Sequence, residues 1–293
     1  MGTKSTTQRC ETHVDFQQRY RDLVSSVDNL PTLPTLLWEL QAVLRSPFSD
    51  AAKVALVIEK DPSLTAHVLR FANSAYSASR ERIISVKDAV ARVGINRIER
   101  ISTGMLMVEL FSEFGTTLEP EIFWKHSFRV ASVTHSVCTL NPESCPFMPD
   151  EVYIAGLLHD IGKLILDQYF HEDYEKVDSA MKRKPWTAFQ VEESVLGLHH
   201  GEVGADLLQV WDFPEYLVEA IRDHHEVCAD TERSHVLAEL IRFCDFISYG
   251  LEEETMNPEI SEHPMFGVTS YQYEEMKINL LHEEKYVDDL LGL

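Results

Sequence analysis

Apolar positions along this chain recur every three to four residues and rarely alternate, a periodicity that predicts amphipathic helices and few strands. A first helix is predicted over 14–27. Leu30-Pro-Thr-Leu-Pro34 then makes a rigid turn. Pro34 suits the opening of a helix from Thr35 to about Arg45, with Leu36, Leu37, Leu40 and Leu44 on one face. Asp50 is placed to cap Ala51–Glu59, Asp61-Pro62 restarts the chain into Ser63–Asn73, and Ser85 caps Val86–Val93, which Gly94 ends. A long apolar helix, Arg97–Phe114, closes this first group.

Gly115 through Pro120 reads as the internal boundary. Beyond it the pattern predicts Glu121–Leu140, Glu151–Tyr169, Tyr174–Arg183, Thr187–Leu198, Gly201–Trp211, Pro214–His225 and His235–Tyr249. Residues 252–264 are acidic, contain Pro258 and Pro264, and read as a linker to a last helix, Ser270–Leu291. The expected fold is all-α, with helical lobes at 1–115 and 116–250 and a tail over 251–293.

The 293 residues, 44% apolar and 25% charged, suffice for a sizeable core. No run reaches the roughly 18 apolar residues of a membrane span, so none is expected. The N-terminal residues lack the apolar core of a secretory signal, and Met1-Gly2 with Ser5 and Thr6 matches a myristoylation signal only loosely. Cys10, Cys138, Cys145, Cys228 and Cys244 form no C-x-x-C pair and suit reduced thiols in a cytoplasm.

The net charge of −22 is uneven: 14 basic and 13 acidic residues in 1–115, against 12 and 35 in 116–293. So acidic a second half repels phosphate backbones, which disfavours direct nucleic-acid binding. Most of these acids read as solvated helix surface.

Seven residues carry metal-binding potential: His126, His159, Asp160, His200, His224, His225 and Asp245. Imidazole and carboxylate are the donors that borderline and hard divalent ions take. In Ala155-Gly-Leu-Leu-His-Asp-Ile-Gly-Lys163 an adjacent His-Asp ends an apolar helical turn, so both donors can enter one pocket. The other five can fill out one or two metal spheres.

Each residue also has a simpler reading. His126 alone fits a core histidine with a backbone partner. His159-Asp160 fits a hydrogen-bonded pair at a helix end served by Gly162, and His224-His225 fits a helix C-terminal dipole. Trp38, Trp124, Trp186 and Trp211 read as core anchors, and 101–111 as a core helix. Asn73-Ser74-Ala75 reads as a helix C-terminus. His199 is expected to face outwards. His13, His67, His135, His171, His235, His263 and His282 are given no part in a site.

The ordered set of motifs resembles the bacterial HDOD domain over roughly residues 20–250. It comprises Leu30-Pro-x-Leu-Pro34, Asp61-Pro62-x-Leu64, Asn73-Ser74-Ala75-Tyr76 and Ile84-Ser85-Val86 with Ala89-Val90 and Gly94. Later come Gly197-x-x-His200-x-x-Val-Gly204, Trp211-x-Phe-Pro214, Ala220-Ile221-Arg222 and His224-His225. That family is an all-α relative of the HD superfamily of metal-dependent phosphohydrolases, and its members are mostly regarded as signalling modules, many without the metal ligands. Here Trp124-x-His126-Ser127 resembles the superfamily's first histidine, His159-Asp160 its doublet and Asp245 its closing aspartate. His200, His224 and His225 match positions that supply a second metal in the related HD-GYP phosphodiesterases. The Asp-Gly-x-Gly-Tyr-Pro continuation of that group is absent after Glu226, which counts against cyclic di-GMP hydrolysis.

A divalent ion among neutral imidazoles and two carboxylates would supply Lewis-acid chemistry, activating water and polarising a phosphoryl oxygen. Asp160 is the expected catalytic carboxylate, with Asp245 beside it. Lys163, one turn on, either meets a phosphate oxygen or is a solvated helix end; Arg129 is a weaker cation. Glu192 or Glu193 can orient His200 from behind. The donors suit Fe first, with Mn, Zn or Ni as alternatives, as one or two ions. Two functions follow. One is a bacterial signal-transduction module that binds metal and acts through signalling-protein partners. The other is a metal-dependent phosphohydrolase acting on a nucleotide or cyclic dinucleotide.

Overall fold

The computed structural model describes residues 15–25, 30–44, 46–75, 82–112, 117–183, 186–227, 232–251 and 257–291. Among them every regular element is a helix. The first group is α1 (15–25), α2 (Thr35–Leu44), α3 (Ala51–Ile58), α4 (Pro62–Ala75), α5 (Val86–Val93) and α6 (Ile95–Leu110). The second is α7 (Pro120–Leu140), α8 (Pro149–Leu158), α9 (Ile161–Tyr169), α10 (His171–Met181), α11 (Ala188–Leu196), α12 (His200–Val210), α13 (Glu215–Asp223) and α14 (Arg233–Gly250). A short α15 (Pro258–Ser261) and a long α16 (Ser270–Leu291) follow.

The expected caps form. Asp50 accepts from the Lys53 N–H at 2.9 Å and Ser85 from the Asp88 N–H at 3.0 Å, each satisfying a first-turn donor. Gly94, at φ +96°, is the single residue between α5 and α6. Asn73 turns out to stitch α4 to the strand-like segment after it. Its Nδ2 donates to the Leu69 and Ile83 carbonyls at 2.7 and 2.8 Å, and its Oδ1 accepts from the Ile83 N–H at 2.9 Å. Tyr76 of the same motif lies outside the described residues.

In the second group α7 is the spine, packed on α8, α14 and α16, while α12 sits between α9 and α13. One placement is not legible in the chain order: α1 docks on the second group. Phe16 meets Phe170 at 4.9 Å, Arg19 pairs with Asp173 at 2.7 Å, Tyr20 donates to Asp206 at 2.8 Å and Gln17 to the Gly197 carbonyl at 2.9 Å. Trp211 adds a hydrogen bond to the Pro31 carbonyl at 2.7 Å.

Two expectations need correction. Trp124 and Trp211 are buried, but Trp38 and Trp186 are about two-fifths exposed; at Trp38 the reason is that α2 turns Leu37, Leu40 and Gln41 inwards instead. Cys138 and Cys145 are not reduced thiols but a disulfide: the loop after α7 folds back and brings their Cα atoms to 5.4 Å. Cys244 is a single buried thiol, while Cys10 and Cys228 lie outside the described residues. Between α14 and α16, Ile260, Phe266 and Val268 are buried.

A polar node holds α6 against α7 and α8. Arg100 pairs with Asp150 at 2.6 Å and meets His135 Nε2 at 2.8 Å, while Asn96 donates to Asp150 at 2.7 Å. Burial first, then the Arg100 charge, pulls the His135 imidazole down from 6.5 to about 4. The folded pKa is therefore below the unfolded one. The stability held by neutral His135 is complete above about 6.5 and is lost as the pH falls towards about 4. His135→Gln, which keeps an acceptor for Arg100, should shrink the fall in melting temperature between pH 7.5 and pH 4.5. The expected shrinkage is about 2–4 °C, the shift that roughly 1 kcal/mol produces at this size.

Candidate metal centre

The segment Glu151–Tyr169, expected as one helix, is two. His159 (φ −55°, ψ −37°) closes α8 and Asp160 (φ −98°, ψ 5°) precedes α9. Consecutive side chains of a continuous helix point about 100° apart; the break lets this pair face one interior. Gly162, which the simpler reading gave to a helix end, lies in the first turn of α9 and is a point of contact. A Cβ there would collide with the His200 carbonyl oxygen and lie 2.7 Å from the Gly204 nitrogen. The backbones of α9 and α12 touch at this glycine, which sets Asp160 opposite His200.

The structure brings all seven predicted donors together as two adjoining sets. His126, His159 and Asp245 form one, and Asp160, His200, His224 and His225 the other; within each, the donor atoms lie within 4.8 Å of one another. Asp160 stands between the sets. Its Oδ1 is 3.0 Å from His200 Nε2, and its Oδ2 is 3.4 Å from His159 Nε2 and 3.6 Å from His126 Nε2. Asp245 Oδ1 is 3.2 Å from His126 Nε2.

Three imidazoles are fixed from behind. His159 Nδ1 donates to the Gly156 carbonyl at 2.8 Å and His224 Nδ1 to the Ile221 carbonyl at 2.6 Å. Both carbonyls belong to last turns, where helices lack internal donors, so each helix end is capped by its own histidine, a candidate metal ligand. His200 Nδ1 donates to Glu192 at 2.6 Å, and Glu192 also accepts the His200 N–H at 2.8 Å and the Tyr174 hydroxyl at 3.3 Å. With Nδ1 engaged, each Nε2 is the ring nitrogen turned to the interior.

The electrostatics agree. Burial, reinforced by His200 and His159, pushes the His224 imidazole well below its usual value and keeps it neutral; burial and His224 do the same for His225. Burial opposes the Asp160 charge, but His159, Lys163 and His200 together hold its carboxyl far below the ordinary range. Burial also opposes the Asp245 charge, and the nearby His126 and His159 together outweigh it, holding its carboxyl below the ordinary range. Burial works against protonation of His159 and His200, yet Asp160 and Glu192 respectively raise both. Among the buried atoms left without a hydrogen-bond partner are Asp160 Oδ1, His224 Nε2 and Asp245 Oδ1. A buried polar atom without a partner is costly. These three belong to the two donor sets, so the residues fit a divalent metal.

Lys163 is neither solvated nor turned to an open cleft. Its ammonium lies 2.5 Å from Asp160 Oδ2, and although burial alone would lower its pKa, Asp160 and Glu192 raise it. Glu192 is fully buried behind His200, whereas Glu193 is exposed. Arg129 bonds the Ser248 carbonyl at 3.4 Å, outside the donor sets. His199 does not face outwards: it is buried, caps α12 by accepting the Gly201 N–H at 3.2 Å and meets Phe189 edge-on at 5.1 Å. Two aromatic neighbours escaped the sequence reading, Tyr249 at 5.2 Å from the His126 ring and Phe189 stacked at 5.2 Å on His225. Tyr249 had one signal, its i+4 spacing from Asp245 on a helix.

The HDOD domain family model matches residues 30–227. This chain belongs to the HDOD domain family. Its fold is shared with the crystal structure of an HDOD domain protein of unknown function from Geobacter sulfurreducens, with TM-score 0.77 and 25% identity over 96% of this chain and 99% of that one. A protein from Shewanella amazonensis SB2B, named as a candidate phosphohydrolase, matches with TM-score 0.72 and 23% identity, covering 92% and 97%. An uncharacterized protein of Treponema pallidum is 23% identical over 247 residues, 83% of this chain, and this HDOD chain spans about half (47%) of that relative's length. The match to residues 30–227 includes His126, the His159-Asp160 doublet, His200, His224 and His225, and excludes Asp245.

Two substitutions test the build of this HDOD centre. Glu192→Gln should weaken metal binding about 10–100-fold, the usual cost of losing a carboxylate behind a ligand histidine, as read by competition with a chromogenic chelator. Gly162→Ala should destabilise the fold by about 3 kcal/mol or more in urea denaturation, because its methyl group meets backbone rather than a movable side chain.

Proposed function

We propose that this HDOD protein is a metal-dependent phosphoester hydrolase with a two-ion centre. One ion is held by His126, His159 and Asp245, the other by His200, His224 and His225, with Asp160 between them. The observation that supports it is the convergence of seven candidate donors, three of whose buried atoms have no hydrogen-bond partner, on one partly open interior. Bound there, divalent ions supply polarisation of the phosphoryl oxygen and activation of water.

The protein's own groups would do the rest. Asp160, kept ionised by Lys163, holds a fixed negative charge at the junction of the sets and can orient a water by accepting its hydrogen bond. Glu192 keeps the His200 ring in place. His126 and Asp245 form the accessible side, with side chains 15% and 22% exposed, against 1% or less for His159 and His200. A substrate would therefore enter past α7 and α14. The imidazole-rich donors favour Fe first, with Mn, Zn or Ni as alternatives. We take the compartment to be the cytoplasm; no helix among the described residues is long and apolar enough to cross a membrane.

A second reading, a signalling module that acts through protein partners, draws on a different observation. Phe48, Leu56 and Ile84 of the first group are exposed by two-thirds or more. Scattered apolar residues are common on surfaces, so the converged donors outweigh them, and the order expected from sequence is reversed.

Elemental analysis of protein purified without chelators and under low oxygen should give about two equivalents of divalent metal. Metal-dependent hydrolysis should appear on a panel of phosphomonoesters and diesters, and Asp160→Ala should cost at least about 100-fold in kcat. Metal without turnover on the whole panel would hand the function to the signalling reading; absence of metal would refute both.

A further inference from the structure

Beside the centre, a cleft of about 380 Å³ is lined by Arg242, Phe243, Asp245, Phe246, Tyr249 and His263. Five of these come from α14 and one from the segment between α15 and α16. All six lie beyond the residues that the family model matches. On a helix, positions 242, 245, 246 and 249 are related by three, four and seven residues and share one face. The donor Asp245 and the cleft wall are thus one stripe of one helix.

The stripe is unusual in its exposure. Phe246 is 41% and Tyr249 66% exposed, two flat rings beside a site whose other parts are polar. Their opposite wall is rigid. His263 lies 4.1 Å over Phe243, stacks on Phe266 at 5.5 Å and bonds Glu239 at 3.0 Å, while its Nδ1 accepts the Phe266 N–H at 3.1 Å. Arg242 is held by a fork of two bonds to Glu239, at 2.9 and 2.6 Å. Its planar guanidinium therefore stands at the rim in a set orientation, its side chain still 38% exposed.

Rings of this kind bind flat ligands by stacking, and every heteroaromatic face suits them. The volume lies within the range of small-ligand sites and below that of large ones. The cleft shares Asp245 with the centre, and Tyr249 touches the His126 ring, so one ligand can span both. We propose that this cleft is the subsite for the organic part of the ligand, and that it takes a flat heteroaromatic ring carried by a single phosphoester of mononucleotide size. The phosphate end rests on the hydrolase reading; the ring end does not.

Calorimetric titration of the protein as purified with its metal separates the two. The probes are adenosine 5′-monophosphate, glycerol 3-phosphate and adenosine. The monophosphate of adenosine should bind at least about tenfold more tightly than glycerol 3-phosphate, a margin within what ring stacking supplies. Phe246→Ala should erase that margin and leave glycerol 3-phosphate unchanged, and Phe246→Trp should restore it. A purely structural role for Phe246 would weaken both ligands alike. If glycerol 3-phosphate fails to bind while adenosine binds and loses its affinity in Phe246→Ala, the cleft stands and the hydrolase reading falls. Equal affinity of the two phosphates, no binding of adenosine or its monophosphate, or indifference to Phe246→Ala would overturn the subsite.

Discussion

The buried carboxylate of Asp160 is the constraint on which the second group of helices depends. An ionised carboxylate removed from water costs several kcal/mol unless opposite charge and hydrogen bonds surround it. Here four side chains answer it: Lys163 from the next turn, His159 from the preceding residue, His200 from α12 and His126 from α7. Meeting them requires the break between α8 and α9, which aims the doublet inwards, and Gly162, which lets α12 come close enough. Glu192 follows from the same demand, since the His200 ring that faces Asp160 needs an acceptor behind it. The geometry of α7, α8, α9, α11 and α12 is thus organised around one negative charge.

That charge also explains the state of the imidazoles. Asp160, Asp245 and Glu192 set three negative charges against the single ammonium of Lys163. These carboxylates raise the His159 and His200 values against the pull of burial. His224 and His225, set beside His200, stay neutral and keep their lone pairs. An acidic surface around the centre, part of the −23 carried by residues 116–293, would raise the local concentration of cations rather than of phosphate anions. Such a balance suits a site that concentrates metal first.

Much of this was legible in the chain. Period-3.6 patterning places the helices, because an amphipathic stripe is a local signal, and the side-chain caps at Asp50 and Ser85 sit where the sequence puts them. All seven donors were named from residue type and motif order, and the structure gathers all seven. What stayed hidden is what depends on distance through space. The Glu151–Tyr169 break had no proline to announce it and only Gly162 to hint at a helix end; that it aims both members of the His-Asp doublet at one interior was not legible. The docking of α1 on the second group, the Cys138–Cys145 disulfide and the inward turn of His199 are likewise set by partners remote in sequence or by the path of a loop. Glu192 and Glu193 were indistinguishable from sequence alone, since neighbouring helix positions differ by about 100° and the sequence does not say which one faces His200.

The role of α14 carries the synthesis one step further. One face of this helix carries Asp245 beside the candidate centre and Phe246 and Tyr249 in the cleft, while Glu239, itself bonded by Arg242, ties it to His263. In the proposed reading, ring recognition and metal binding would be coupled by geometry: a helix carries its side chains at fixed spacing, so α14 could not shift to suit a ligand without moving Asp245. The anchor for that rigidity comes from the region around α15, where Ile260, Phe266 and Val268 are buried and Tyr273 of α16 bonds the Gly250 carbonyl at 2.7 Å. A chain that ended at residue 227, where the family match ends, would keep six of the seven donors but lose Asp245 and every wall of the cleft. The part that matches the HDOD family model thus carries six of the seven candidate donors, and the residues beyond it carry Asp245 together with the lining of the cleft.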